Sequence, residues 1–125
     1  MGTIFNLKIN KLFILDGRRS IVTGATGGLG TQISHTLAEL GSDLILIDRP
    51  GSSYDKLKDQ IESDFPNIEI DVFDCDLEDE SHRTPVFNEI KNTIDNINII
   101  VNNAAFGGGT DLPGWNTSLE EQSLV

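Results

Sequence analysis

Basic side chains are scarce in this chain. Nine lysines and arginines stand against 20 aspartates and glutamates, for a formal net charge of −11. With no basic cluster, the chain is a poor electrostatic partner for nucleic acid or anionic lipid. Cysteine is almost absent: Cys75 alone excludes an internal disulfide framework, suits a reducing compartment and reads as a small buried residue. Long hydrophobic runs are lacking too. The cluster "LFIL" at residues 12–15 follows Lys8 and Lys11 but is far too short for a signal-peptide core or a membrane span. The expected location is therefore cytoplasmic. His35 and His82 stand alone at helix positions, so no metal site is expected. There is one tyrosine, Tyr54, which leaves a single candidate for any chemistry that needs a phenol. A length of 125 residues allows one domain, burying roughly two-thirds of its unfolded surface.

What is present is an alternation of short apolar runs with helical patterns. "SIVT" at residues 20–23 reads as a buried strand. After a glycine-rich turn, Leu29, Ile33, Leu37 and Leu40 recur at near-helical spacing and predict one apolar helix face, with Gly41 placed as its left-handed stop. "DLILID" at residues 43–48 is apolar enough for a strand buried on both faces, as in parallel sheets. Ser52 or Ser53 is the expected cap of a helix carrying Leu57, Ile61 and Phe65, which Pro66 ends. "IEIDVF" at 68–73 alternates like a strand near a sheet edge. The next helix carries Phe87, Ile90 and Ile94, with Pro85 expected in its first turn. "INIIVN" at 97–102 is a fourth strand, and loop follows from Phe106. The β-α-β-α-β-α-β order predicts an α/β, Rossmann-like doubly wound parallel sheet of about four strands, in spatial order 3-2-1-4. Residues 1–17 form an N-terminal extension and 18–125 the domain.

The turn "TGATGGLG" at residues 23–30 lies between a predicted strand and a predicted helix, the context in which such a motif holds a dinucleotide. Gly24 permits a tight reversal, Gly28 lets backbone approach a pyrophosphate, and Gly30 lets the helix pack close to the strand. The helix N-terminus then offers free N–H groups and a positive dipole end. No lysine is present in the turn, which argues against a P-loop. A plain βα turn is the alternative. Asp48 strengthens the nucleotide reading, because an acid ending the second strand accepts from the adenosine ribose hydroxyls and repels a 2′-phosphate. That favours NAD over NADP. Arg49 pulls the other way, since an arginine there can pair with the phosphate. The alternative for Asp48 is an acid that merely faces water.

With these residues placed, the chain resembles the compact branch of the short-chain dehydrogenase/reductase family. "TGATGGLG" fits its T-G-x-x-x-G-x-G motif, and equally the T-G-x-x-G-x-x-G of the extended epimerase and dehydratase branch. "CDL" and "NNAA" choose between them. The first places Asp76 and Leu77 where family members contact adenine. The second is similar to the compact branch's N-N-A-G, with Ala105 in place of its final glycine. The resemblance implies that Gly24, Thr26, Gly28, Leu29, Gly30, Asp48, Arg49, Asp76, Leu77, Asn103, Ala104 and Ala105 line a cofactor, NAD ahead of NADP. It also implies that Asn102 ties adjacent strands. The stretch from Gly114 to Val125 looks like the entry to the next family helix.

The implied activity is hydride transfer between the nicotinamide and an alcohol or carbonyl carbon, of the kind a 3-oxoacyl reductase performs. The implied partners are a small-molecule substrate and further copies of the full-length chain. Family members also use a Tyr-x-x-x-Lys pair on the helix after a fifth strand, with a serine at that strand's end. Tyr54 and Lys58 have the spacing but sit after the second strand, beside the adenine end if Asp48 holds the ribose. A general acid must reach the atom it protonates, so Tyr54 is expected to pack inward and Lys58 to face water. The match covers the first half of a usual member. The chain is therefore expected to lack the catalytic half, to show no dehydrogenase activity alone, and to expose an apolar fourth strand that invites association. A non-catalytic nucleotide-binding module is the alternative, with a sugar-nucleotide epimerase or dehydratase fragment behind it.

Overall fold

The computed structural model describes residues 11–105. Between Arg19 and Val101, four strands and three helices alternate in the expected order: β1 (Arg19–Thr23), α1 (Gly28–Glu39), β2 (Asp43–Asp48), α2 (Asp55–Asp64), β3 (Ile70–Asp74), α3 (Glu80–Thr93) and β4 (Ile99–Val101). The strands form one sheet in the order β3-β2-β1-β4, and every pairing is parallel. Each crossover helix must then lie on a face of the sheet. The expected Rossmann-like architecture, with its 3-2-1-4 order, is what the chain adopts. The loop from Phe106 and the helix entry after Gly114 lie outside the described residues.

β2 shows why the apolar run is continuous. Leu44, Ile45, Leu46 and Ile47 are all 0 % exposed. Alternate residues of a strand point to opposite faces, so Leu44 and Leu46 join one core with Val22, Ala38, Leu57 and Ile61 from β1, α1 and α2. Ile45 and Ile47 join the other, with Ile21, Cys75, Ile90 and Ile94. One face thus carries α1 and α2, and the opposite face carries α3. Cys75 is buried, as expected of a lone cysteine. Among the described residues β4 has no outer neighbour, and its Ile100 is 63 % exposed.

Several local expectations are corrected. The sheet-facing stripe of α1 is Gly30, Ser34 and Ala38, not the large apolar residues. A helix that approaches a strand closely has room there only for small side chains. Ile33 and Leu37 flank the contact, Leu29 is 66 % exposed, and Leu40 is the C-cap rather than a helical residue. Gly41 does stop the helix. Its N–H donates to Ala38 C=O at 2.9 Å, the Ser42 N–H donates to Leu37 C=O at 3.0 Å, and its φ is +102°. That pair of bonds is the Schellman arrangement.

The N-cap of α2 is Tyr54, with no side-chain cap bond, so neither Ser52 nor Ser53 takes that place. Pro85 sits inside α3 rather than in its first turn. The helix starts early because Asp79 caps it, accepting from the Ser81 amide at 2.9 Å and its hydroxyl at 2.6 Å. A good cap and Glu80 in the first turn offset part of the ~3 kcal/mol an internal proline costs.

Candidate functional site

The C-terminal ends of the four strands share one edge of the sheet, and the motif residues gather there. β1 ends at Thr23, and the chain reverses at Gly24 with φ +62°. A side chain at Gly24 would be strained by that conformation, and its Cβ would stand 3.0 Å from Ala104 Cα. The turn lies against the end of β4. Gly30 is demanded by packing, since a Cβ there would fall 2.0 Å from Gly24 O. Gly28 differs: a Cβ would meet nothing within 4 Å. The protein itself gives no reason for glycine at that position, and the space before it is open to an approaching group.

That space lies at the N-terminus of α1. The cap is Gly27, with no side-chain cap bond, and the first turn holds no acid. The first intrahelical bond runs from the Thr31 N–H to Gly27 C=O, at 3.0 Å. The amides of residues 28–30 therefore have no intrahelical acceptor, and the positive end of the helix is uncompensated by a side chain. Leu29, exposed at the same end, adds an apolar surface beside these donors.

Asp48 closes the end of β2 and reaches back to the glycine turn. Its Oδ2 accepts from the Thr26 amide at 2.9 Å and the Thr26 hydroxyl at 2.6 Å, while Oδ1 accepts from the Arg49 amide at 2.8 Å. Burial alone would push this carboxyl up. The Thr26 hydroxyl and amide, the Arg49 amide and the Ser52 hydroxyl outweigh it and hold the carboxyl below its ordinary value. With about two acceptor positions per oxygen, Thr26 fills Oδ2, and the Arg49 amide and the Ser52 hydroxyl share the rest of the carboxylate. Arg49 itself is exposed, and its Nη2 lies 3.1 Å from Glu78 Oε1.

The loop after β3 is held from α3. The Asp76 amide donates to His82 Nδ1 at 3.0 Å, the Arg83 guanidinium donates to the Leu77 carbonyl, and Asp76 Oδ1 accepts from the Glu78 amide at 3.0 Å. Leu77 packs against the second core. At the end of β4 the tie between strands comes from Asn103, not Asn102. The Asn103 side chain donates to Thr23 C=O at 3.1 Å and Gly24 C=O at 3.2 Å, whereas Asn102 is exposed. The two extend alternately, so only one can face β1. Ala104 and Ala105 are exposed beside it.

Thr23 was missed as a site residue. Its Oγ1 accepts from the Asn103 amide at 3.1 Å and the Ala104 amide at 3.0 Å. A hydroxyl directly after the apolar pair Ile21 and Val22, at the strand's end, was the available signal. Glu78, His82 and Arg83 were missed as well, and only their place just after "CDL" pointed to them.

Tyr54 is 8 % exposed. Its hydroxyl accepts from the Asp48 amide at 2.8 Å and donates to the Phe73 carbonyl at 2.9 Å, bridging β2 and β3. Burial pushes the phenol far above its ordinary range, with the nearby Asp74 adding to the rise against the Asp48 amide bond. Lys58 pairs with Glu62 at 3.8 Å, one turn along α2. The Tyr-x-x-x-Lys spacing thus brings no phenol and ammonium together.

Comparison with known proteins shows the family and the fold. The short chain dehydrogenase family model matches residues 18–123. An uncharacterised oxidoreductase of Mycobacterium tuberculosis is 32 % identical over 95 residues, covering 76 % of this chain and 38 % of that protein. A 3-oxoacyl-acyl-carrier-protein reductase of Aquifex aeolicus is 33 % identical over 90 residues, covering 72 % of this chain and 36 % of its own length. A short-chain type dehydrogenase/reductase from Mycobacterium marinum superposes with a TM-score of 0.73 at 23 % identity, over 91 % of this chain and 44 % of that one. The chain belongs to the short-chain dehydrogenase family, whose members use NAD(P) cofactors. It spans less than half the length of these relatives.

Proposed function

We propose that the chain is the cofactor-binding half of an NAD(P)-dependent oxidoreductase and that it prefers NAD. One observation carries this reading: an ionised Asp48, oriented by Thr26, stands beside an uncapped helix N-terminus and an open space in front of Gly28. The amides of residues 28–30 suit a diphosphate. The negative charge on Asp48 suits a ribose hydroxyl, which can donate to it, and not a second anion. Asp76 and Leu77 stand at the adenine end, and Ala104 and Ala105 toward the other side of the sheet. When bound, the nicotinamide accepts or gives up a hydride; the residues of this chain hold and orient the nucleotide. The buried Tyr54 takes no part in proton transfer, because its hydroxyl is committed to Asp48 and Phe73 at the adenine side. Relatives named as 3-oxoacyl reductases make an oxoacyl thioester the first carbonyl substrate to try with the complete enzyme.

The test is a titration of the chain with NADH, followed by nucleotide fluorescence. Binding is expected, and Asp48→Ala is expected to weaken it about tenfold or more, the loss of a hydrogen bond to a charged group. A folded chain that ignores NADH and NADPH alike would overturn the reading.

A further inference from the structure

Cofactor choice in this site is set by Glu78 as well as Asp48, we infer from the ion pair that Glu78 makes with Arg49; the inference rests on the dinucleotide reading above. Arg49 follows the ribose-selecting acid directly, and it is the residue that would meet a 2′-phosphate. Its Nη2 is instead 3.1 Å from Glu78 Oε1. Glu78 is not there by chance of a mobile side chain alone. Its amide is fixed to Asp76 Oδ1 at 3.0 Å, and Asp76 is in turn fixed through its own amide to His82 Nδ1. The loop after β3 therefore sets the Glu78 backbone where its carboxylate reaches back across to the end of β2.

The charge around that point is unfavourable for a phosphate. Asp48 and Asp74 stand opposite each other in register at the ends of β2 and β3, and Asp76 follows two residues on. Against these and Glu78 stand two cations: Arg49, which Glu78 already neutralises, and Arg83, which is committed to the Leu77 carbonyl. A 2′-phosphate must either draw Arg49 away from Glu78 or sit close to the Glu78 carboxylate. Both options disfavour NADPH, and neither arises for NADH, which differs only by lacking that group. The pair is exposed, with Arg49 61 % and Glu78 38 % accessible, so it contributes little to stability. Its effect falls on selectivity. Repelling the wrong ligand is as effective as attracting the right one.

The experiment measures the NADPH:NADH affinity ratio of the full 125-residue chain and of E78Q, by nucleotide fluorescence at low salt. E78Q removes the charge, keeps the shape and leaves Arg49 free to pair with the phosphate. The ratio is expected to rise roughly tenfold, the effect of one charge-assisted hydrogen bond gained. The double variant R49A/E78Q is expected to lose most of that gain. A purely structural role for Glu78 would alter both affinities together and leave the ratio where it was. An unchanged ratio in E78Q, or a gain that survives without Arg49, overturns the inference while the dinucleotide reading stands. A folded wild-type chain that binds neither nucleotide overturns both.

Discussion

The first and third βα units of this sheet solve the same problem by different means. Between β1 and α1 the connection is made of backbone: Gly24 turns with positive φ, Gly30 rests on the Gly24 carbonyl, and Ser34 and Ala38 keep the helix close to the strands. Between β3 and α3 the connection is made of side chains. Asp79 caps the helix, His82 and Arg83 hold the amide of Asp76 and the carbonyl of Leu77, and only Ile90 is buried along the helix itself. The first unit has no room for an added atom at Gly24 or Gly30, and the third depends on polar groups that can be lost one at a time. Tyr54 and Asp48 lie between these two units and join them, the one to β3 and the other to the glycine turn.

Substitutions sharpen the contrast. The largest effect is expected at Gly30→Ala. Its Cβ would overlap the Gly24 carbonyl, and a backbone clash should cost more than about 3 kcal/mol in urea unfolding. Tyr54→Phe should cost about 2 kcal/mol by the same measurement, since it strands the Asp48 amide and Phe73 carbonyl it serves. Asp48→Asn should cost about 1 kcal/mol at neutral pH, with a defined pH dependence. The folded carboxyl lies below its ordinary value, so its contribution is fully present above the unfolded value of ~3.9 and is lost as pH falls through the lowered folded value. Urea midpoints of wild type and D48N should differ at pH 6 and converge in strong acid. The smallest global change is expected from His82→Phe, below about 1 kcal/mol. Hydrogen exchange should show it locally, as faster exchange of the Asp76 amide with the β1 amides unchanged.

The sequence made the strand order, both faces of β2, the glycine turn and the place of Asp48 readable, because each follows from local pattern and the chirality of parallel crossovers. It misled where a contact depends on distance rather than period. Large apolar residues mark a helix face only when there is room for them, so Leu29 and Leu40 stood out while Gly30, Ser34 and Ala38 make the contact. Pro85 pointed to a later helix start because the strength of the Asp79 cap is not visible in propensity. Asn102 and Asn103 are chemically alike, and only the path of β4 decides which of them turns toward β1. The partners of Tyr54, Arg49 and His82 lie 19, 29 and 6 residues away, and no pattern of single residues encodes such pairs.

Cys75 gives the chain a built-in reporter. It is 1 % exposed among the isoleucines beneath α3, and burial, with Asp76 adding to it against Arg83, pushes its thiol up. An alkylating reagent attacks the thiolate, so it should find nothing to react with until α3 lifts from the sheet. As the chain's single cysteine, it makes the rate of labelling a direct reading of how often the polar-built half of the fold comes open.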